Sequence, residues 1–313
     1  MKSDRPNPSD KSQNTLRHRN LIRSASLLMV CALMLSGCNA EHGIFGPAGP
    51  VAQEQQDLFL FILFWMLVVS LPLFIALPVI LYRYRHGARS SAYLPKWSFS
   101  RSLEVLVWGL PAVVVVILSW ELWRATYDLD PYKPIASSER PLEIDVVGLD
   151  WKWLFIYPEE GIASVNLLVV PVDRPIRFRL TSGTVLQSFM IPRLGGQIYA
   201  MPGMVTELNL LAAEPGDYRG LNTQYNGDGF ARQKFTARVT SQAMYDDWIS
   251  GLKQTSPALD PQVLEELTQQ NVPDDPMTFG SVTVTDPFVG FANAQSHRHP
   301  PASPHHTVRK EAP

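Results

Sequence analysis

The fold is decided by two segments, Val185-Leu186-Gln187-Ser188-Phe189-Met190-Ile191-Pro192 and Gly216-Asp217-Tyr218-Arg219-Gly220-Leu221-Asn222-Thr223-Gln224-Tyr225-Asn226-Gly227. Each contains a short strand-like run, and the turn pairs Gly195-Gly196, Pro202-Gly203 and Pro215-Gly216 lie between the two runs. Short strands separated by glycine and proline turns at this spacing are typical of an all-β sandwich or barrel.

More strand-like runs surround these two segments. The alternation of Leu142-Glu143-Ile144-Asp145-Val146 is that of a half-buried strand. Further strands are predicted at 151–157, 164–170, 175–181, 185–191, 204–211, 217–221 and 234–240. After them, Ser241 is predicted to cap a helix that ends near Lys253, followed by a short helix at 261–269 and a strand at 281–285.

Two long apolar runs precede the strands. Residues 58–82 carry no charge over 25 residues, which is long enough to cross a bilayer, and a second span is predicted at 103–123. The loop between them contains Arg83, Arg85, Arg89, Lys96 and Arg101 and no acidic residue. Positive charge in a short loop marks the cytoplasmic side, so the strands are predicted to lie outside the cytoplasm.

The amino terminus has the pattern of a bacterial lipoprotein signal peptide. A basic start is followed by an apolar run at 25–35 and by Leu35-Ser36-Gly37-Cys38. Cys38 is therefore the predicted lipidation site, where acylation would give the mature chain its first residue. An ordinary signal peptide or a short membrane anchor with a chance cysteine is the alternative.

Composition excludes several classes of function. The 313 residues are 46% hydrophobic and 18% charged with a formal charge of −2, so no nucleic-acid partner is predicted. The two cysteines are Cys31 and Cys38, and no histidine lies between positions 87 and 296. The predicted strand domain therefore contains no cysteine or histidine. Soft transition metals in proteins need thiolate or imidazole ligands, so no site for such a metal is predicted in this domain.

Three further segments carry a family resemblance that extends over about 38–287. They are 148–157 (Gly-Leu-Asp-Trp-Lys-Trp-Leu-Phe-Ile-Tyr), 188–195 (Ser-Phe-Met-Ile-Pro-Arg-Leu-Gly) and 197–204 (Gln-Ile-Tyr-Ala-Met-Pro-Gly-Met). Together with the opening segments, they resemble subunit II of the haem-copper respiratory oxidases, and specifically its quinol-oxidising, cytochrome o-type branch. The copper-binding branch has His-Ser-Phe, then Cys-x-x-x-Cys with an intervening Glu, then His and Met.

This chain departs from the copper pattern at every side-chain ligand that the resemblance implies. The lost ligand positions are Gln187, Asn222, Gln224, Asn226, Phe230 and Gln233. Amides are hard neutral donors and do not suit a copper–thiolate centre. We therefore expect no metal, no cofactor and no catalytic residue in this chain. We expect the amides of Asn222, Gln224 and Asn226 to form hydrogen bonds within the former ligand loops, and a weak metal site of a different kind is the alternative.

The resemblance implies a fold and an assembly. The fold is a membrane hairpin of two helices followed by a cupredoxin-like Greek-key β-sandwich, with a short C-terminal helical extension. The predicted segments are 1–37 signal peptide, 38–57 periplasmic linker, 58–123 hairpin, 124–240 periplasmic cupredoxin-like domain without copper, 241–290 helical arm and 291–313 disordered tail.

The implied complex is a proton-pumping oxidase of the bacterial inner membrane that oxidises ubiquinol and reduces oxygen to water. The partners implied for this chain are subunit I, smaller membrane subunits and membrane lipids. The haems and the active-site copper would be held by subunit I. This chain would stabilise subunit I from the periplasmic side. Two rival interpretations stay open, a membrane-anchored lipoprotein that binds or assembles other proteins and a copper-bearing cytochrome c oxidase subunit.

Several residues have competing interpretations. Trp151 and Trp153 are predicted on alternating positions of one strand, so both rings should face the same side. Their predicted role is core packing or contact with another subunit, and electron transfer is the alternative. Glu104 and Glu121 are predicted at the membrane interface, with functional intramembrane acids as the alternative. The tail histidines 297, 299, 305 and 306 either belong to a disordered segment or bind metal.

Overall fold

The structure is a computed structural model that describes Met29, residues 43–85 and residues 99–294. The chain divides into two units, Met1–Gly46 and Pro47–Pro313. In the first, the described residues end in a turn in which the Gly46 amide donates to the Gly43 carbonyl at 3.1 Å. Cys38 and the tail histidines lie outside the described residues, so their predicted roles stay predictions.

Two long helices form the hairpin in the second unit. Helix α1 spans Pro50–Arg83 and helix α2 spans Arg101–Asp128, and both are long and apolar enough to cross a membrane. Most of their large apolar side chains are exposed in the isolated chain. Both predicted spans are helical, but each helix extends beyond the predicted apolar run into charged residues at its ends.

Helix α1 begins earlier than the sequence predicted. Residues 50–57 were assigned to a linker, but the helix starts at Pro50, and proline is well suited to the first turn because it has no amide hydrogen to leave unpaired. Two residues before the helix start, Ala48 is buried and joins two loops of the sandwich, since its amide donates to the Arg193 carbonyl at 2.7 Å and its carbonyl accepts from the Ala213 amide at 2.8 Å. These tertiary contacts hold the chain in place immediately before the helix.

Thirteen strands are present among the described residues. They are β1 Leu142–Leu149, β2 Lys152–Tyr157, β3 Ile162–Val165, β4 Leu167–Pro171, β5 Pro175–Ser182, β6 Gln187–Met190, β7 Ile198–Ala200, β8 Thr206–Leu211, β9 Gly216–Asn222, β10 Lys234–Thr240, β11 Ala258–Leu259, β12 Met277–Phe279 and β13 Ser281–Val282. One sheet has the order β12-β3-β2-β1-β5-β8 and the other β4-β10-β9-β6-β7. The short strands β11 and β13 form a separate parallel pair.

The two main sheets enclose an aromatic core. The ring of Phe189 stacks on Phe235 at 5.1 Å, and Trp153, Phe155 and Phe178 pack around Phe189 at 5.3, 6.3 and 5.4 Å. All five side chains are at most 4% exposed. Burial of this much apolar and aromatic surface is the main stabilising contribution to the sandwich.

The C-terminal arm contains helices α3 Gln242–Thr255, α4 Pro261–Thr268 and α5 Pro287–Ala294. Ser241 caps α3 as predicted, with its hydroxyl accepting from the Met244 amide at 3.4 Å. The arm is part of the sandwich, because β12 pairs with the edge strand β3. Helix α5 was not predicted, and it extends into residues assigned to the disordered tail.

Two other strand predictions need correction. The run predicted at 164–170 is two strands, because Asn166 has a positive φ of 58° and turns the chain from one sheet to the other. The run predicted at 151–157 begins at Lys152, because Trp151 has a φ of 67° and lies in the turn before β2.

Candidate functional site: a buried amide cluster

Three neighbouring strands bring the predicted site residues together. Gln187 begins β6, Asn222 ends β9, and Gln233 immediately precedes β10. Strand β9 lies between β6 and β10 and is antiparallel to both. The start of β6, the end of β9 and the start of β10 therefore lie at the same end of this sheet.

Gln233 is the centre of the cluster. Its side-chain Oε1 accepts from Asn222 Nδ2 at 2.9 Å and from Asn226 Nδ2 at 2.8 Å. Its Nε2 donates to Gln187 Oε1 at 2.5 Å and to the Leu149 carbonyl at 3.3 Å. The Gln233 side chain is buried, so these bonds satisfy polar atoms that have no access to bulk water.

Gln187 and Asn222 tie the cluster to the backbone around it. Gln187 Nε2 donates to the Leu149 carbonyl at 3.1 Å, which links the cluster to the opposite sheet. Asn222 Oδ1 accepts from the amides of Ser188 and Gln224, both at 2.9 Å. Gln187, Asn222, Asn226 and Gln233, which we call the amide cluster, thus form one hydrogen-bonded network.

The other two predicted positions lie outside the amide cluster. Gln224 is half-buried, and the contact the structure gives it is through its backbone amide to Asn222. The Phe230 ring meets the exposed ring of Tyr225 edge-on at 5.7 Å. Of the three amides predicted to form hydrogen bonds within the loops, Asn222 and Asn226 do so through their side chains, whereas Gln224 does so through its backbone amide.

Trp151 covers the loop that carries Asn226. Its indole Nε1 donates to the Asn226 carbonyl at 3.3 Å. Its ring lies so close to Gly229 that a Cβ at that position would be 2.1 Å from a ring atom. The sequence predicted Trp151 and Trp153 on one side of a strand, which is wrong, because Trp151 lies in a turn and Trp153 is buried in the core.

Lys152 is a buried cation next to the cluster that the sequence analysis did not identify. Its Nζ donates to the carbonyls of Leu267 at 3.0 Å and Gln269 at 2.7 Å, at the end of helix α4. Burial lowers the pKa of the Lys152 ammonium below its ordinary value, and the nearby Asp150 carboxylate partly opposes this shift. Its place between Trp151 and Trp153 in the sequence offers no sign of this contact.

The donor set of the amide cluster does not fit a copper centre. Its side-chain nitrogens already donate to oxygens of the cluster and of the adjacent backbone. Amide oxygens are weak, hard ligands for copper compared with thiolate and imidazole. Within residues 43–85 and 99–294, moreover, no group of three or more His, Cys, Asp or Glu side chains is arranged to hold a metal ion.

Both membrane-end glutamates lie in helix α2. Glu104 is in the first turn and accepts from Trp108 Nε1 at 3.1 Å. Glu121 lies near the other end, 4.0 Å from the Arg124 guanidinium. The two acids lie at opposite ends of the apolar segment of α2, and their location at the membrane interface stays a prediction.

Comparison with known proteins gives consistent matches. The family described as cytochrome C oxidase subunit II, periplasmic domain, matches residues 160–232. The chain is 43% identical over 256 residues to cytochrome bo(3) ubiquinol oxidase subunit 2 of Pseudomonas putida, covering 82% of this chain and 81% of that one. It is 43% identical to ubiquinol oxidase subunit 2 of Acetobacter aceti, covering 75% and 77%.

A more distant relative and a solved structure also match. Quinol oxidase subunit 2 of Bacillus anthracis is 36% identical, covering 82% of this chain and 89% of that one. The crystal structure of the periplasmic domain of subunit II of cytochrome oxidase of Bradyrhizobium japonicum matches at 27% identity and a TM-score of 0.36, covering 38% of this chain and 98% of that one.

Proposed function

We propose that this chain, which belongs to the ubiquinol oxidase subunit 2 family and is a subunit of a haem-copper quinol oxidase, works in that complex without a redox centre of its own. In this proposal, the haems and the active-site copper lie in subunit I. Ubiquinol is the substrate of the complex, and its oxidation is coupled to reduction of oxygen to water and to proton pumping.

The observation that carries the proposal is the amide cluster. A copper centre between quinol and haem would need soft ligands at the loop ends of β6, β9 and β10. Those ends instead hold four amides that form hydrogen bonds with one another, with Gln233 bonded to Gln187, Asn222 and Asn226. This arrangement holds the loops together without an ion and offers no electron acceptor.

The hairpin supports a structural role next to subunit I. Large apolar side chains along both faces of α1 and α2 are exposed, among them Phe74, Leu81, Trp108 and Val116 at 64–75%. Lipid can cover part of such a surface, and a membrane partner can pack on the rest. The arginines 83, 85 and 101 at one end of the hairpin support placing that end in the cytoplasm.

An apolar rim on the sandwich supports contact with the outer face of the same partner. Tyr199, Met204 and Val205 are exposed next to the amide cluster, on β7 and the loop that follows it. The adjoining loop is close to helix α1, because Gly195 and Gly196 approach the side chains of Val51 and Gln55. In this proposal, the rim covers subunit I from the periplasmic side.

Acylation of Cys38 is part of the proposed location in the inner membrane. The lipoprotein pattern places the lipid on the outer side, and the basic loop of the hairpin independently places the sandwich there. Smaller membrane subunits and membrane lipids complete the proposed set of partners.

The test is to purify the complex in mild detergent through a tag on this chain and to measure its visible spectrum, copper content and activity. We expect haem bands, copper equivalent to one active-site atom per complex, and oxidation of quinol but not of cytochrome c. A variant with alanine at His297, His299, His305 and His306 serves as the control that removes copper bound by the tail. A colourless chain purified alone would contradict the proposal and favour a lipoprotein binding module.

A further inference from the structure

The loop between β9 and β10 contains a pair of residues with intrinsic covalent reactivity. Asn226 is followed by Gly227, and no other asparagine in the sequence is followed by glycine. In such a pair the backbone nitrogen of the glycine can attack the Cγ atom of the asparagine side chain, because glycine has no Cβ to hinder the approach. The reaction releases the side-chain nitrogen, so Asn226 is a candidate for deamidation.

The backbone at Gly227 favours this attack. Among the described residues, the Gly227 amide donates no hydrogen bond, so its nitrogen is not engaged elsewhere. The carbonyl of the same peptide unit, that of Asn226, accepts from the indole Nε1 of Trp151 at 3.3 Å. A donor on this oxygen stabilises the negative charge that spreads onto it when the attached nitrogen loses its proton. Trp151 therefore makes the Gly227 nitrogen a better nucleophile.

The side chain of Asn226 is restrained by the amide cluster. Its Nδ2 donates to Gln233 Oε1 at 2.8 Å, which holds the group that has to leave. Its Oδ1 is buried and has no hydrogen-bond partner among the described residues. No donor is therefore in place to stabilise the charge that develops on this oxygen during the attack. Both features slow the reaction while the amide cluster is closed.

We propose that Asn226 is a site of spontaneous deamidation that Trp151 promotes and Gln233 restrains. The Gly227 nitrogen gives its proton to water or hydroxide and forms a bond to Asn226 Cγ. The bond from Cγ to Nδ2 then breaks, and the nitrogen takes up a proton and leaves as ammonia. Water opens the resulting succinimide at either carbonyl, which yields aspartate or isoaspartate. The reaction needs no partner subunit, so it does not depend on the proposed function.

Deamidation would change the amide cluster itself. A carboxylate at position 226 has acceptors and no donor, so it cannot replace the bond that Asn226 Nδ2 makes to Gln233 Oε1. If the Gln233 amide turns over to meet the carboxylate, its nitrogen leaves Gln187 Oε1, to which it donates in the unmodified chain. One covalent change therefore weakens the network that joins β6, β9 and β10.

The test is to incubate the full chain in mild detergent at neutral and mildly alkaline pH. Mass spectrometry of the tryptic fragment 220–232 then follows conversion of the amide to the acid. We expect aspartate and isoaspartate at position 226, at a rate that rises with pH because the attacking nitrogen must lose its proton. Asn222 lies in the same fragment and is followed by the β-branched Thr223, so it is the internal control that should stay an amide.

Three variants test the two opposing roles. Gln233→Leu frees Asn226 Nδ2 and should raise the rate about ten-fold, which corresponds to about 1.4 kcal/mol in the barrier. Trp151→Phe keeps an aromatic ring but removes the donor, and it should lower the rate about three-fold. Gln187→Leu is the matched control, because it weakens the cluster and leaves the bond between Asn226 and Gln233 in place. It should change the rate far less than Gln233→Leu does.

A faster reaction in Trp151→Phe, or equal acceleration in Gln187→Leu and Gln233→Leu, would mean that loosening of the loop alone controls the rate and would overturn the proposal. Conversion of Asn222 as fast as that of Asn226 would also overturn it, as would an Asn226 that stays an amide in Gln233→Leu. The product variant Asn226→Asp should unfold at a lower temperature than the wild type. Equal unfolding temperatures would contradict the predicted effect on the cluster.

Discussion

At the scale of single residues, the main feature is that four amides hold together loops that the sequence resemblance associates with a metal. An amide carries both a donor and an acceptor, so a set of amides can close a network without any ion. Gln233 does so from a buried position, with its oxygen accepting two bonds and its nitrogen donating to Gln187 and the backbone. Its loss should therefore affect all three of the other members.

We predict that Gln233→Leu lowers the free energy of unfolding by about 3 kcal/mol, because it leaves buried groups of Gln187, Asn222 and Asn226 without a partner. Denaturant unfolding of the full chain in detergent, followed by tryptophan fluorescence, measures the change. Gln224→Leu is the matched control and should cost less than about 0.5 kcal/mol, since that side chain lies outside the cluster. Equal losses in the two variants would show that the network does not stabilise the fold.

Lys152 gives a prediction about pH. Because burial lowers its pKa, the folded chain releases this proton before the unfolded chain does. Stability rises with pH wherever the unfolded state binds more protons, so this contribution grows from the folded pKa up to the ordinary lysine value of about 10.4. We expect the unfolding free energy of the wild type to rise relative to Lys152→Met as the pH is raised toward that value.

Unfolding curves of the two proteins at a series of pH values from neutral upward provide this measurement. Lys234→Met, at an exposed position, is the control and should follow the wild type at every pH. Parallel pH profiles for the wild type and Lys152→Met would contradict the buried ammonium.

At the scale of elements, the two main sheets contain the same ion pair in two environments. Arg179 and Asp145 are neighbours in the β1–β5 pairing, joined by bonds of 2.6 and 2.7 Å. Arg238 and Asp217 are neighbours in the β9–β10 pairing, joined by bonds of 2.9 and 3.1 Å. The Asp145 side chain is 3% exposed and the Asp217 side chain 54%.

This difference predicts unequal effects of one substitution. Arg179→Met leaves Asp145 buried without its partner and should cost roughly 3 kcal/mol or more. Arg238→Met breaks a pair in solvent and should cost less than about 1 kcal/mol. Unfolding of both variants under the same conditions measures the contrast, and similar costs would mean that burial of Asp145 does not determine the strength of the pair.

Elements with a local pattern were the ones that the sequence predicted well. The α1 and α2 spans, the Ser241 cap and most strands follow from runs of apolar residues, alternation and turn residues. Two features depend on contacts between residues that are distant in sequence. They are the contacts of Ala48 just before the start of α1 and the hydrogen bond from Lys152 to the end of helix α4. Sequence periodicity carries no information about such contacts.

The candidate site was predictable in its residues but not in its connections. The family resemblance identified Gln187, Asn222, Asn226 and Gln233, yet only the arrangement of β6, β9 and β10 shows that Gln233 joins the other three. Phe230 occupies a former ligand position in the alignment of motifs, but its ring turns to Tyr225. The positive φ of Trp151 could also not be predicted from the alternation of apolar and polar residues.

At the scale of the whole molecule, anchoring in the membrane has two proposed sources, the hairpin and the lipid on Cys38. The hairpin alone should suffice, because each helix is long and apolar enough to cross the bilayer. A lipidated cysteine adds to this attachment without being required for it.

We therefore predict that Cys38→Ser yields a longer, uncleaved precursor that stays in the membrane fraction after an alkaline wash. A second variant, Leu67→Arg/Val115→Arg, puts a charge in the middle of each span, where each arginine costs about 3 kcal/mol of insertion free energy. Combined with Cys38→Ser it should appear in the soluble fraction or be degraded, whereas alone it should remain attached through the lipid. Fractionation of cells followed by detection of a C-terminal tag distinguishes these cases. Release of Cys38→Ser by itself would show that the two helices do not span the membrane.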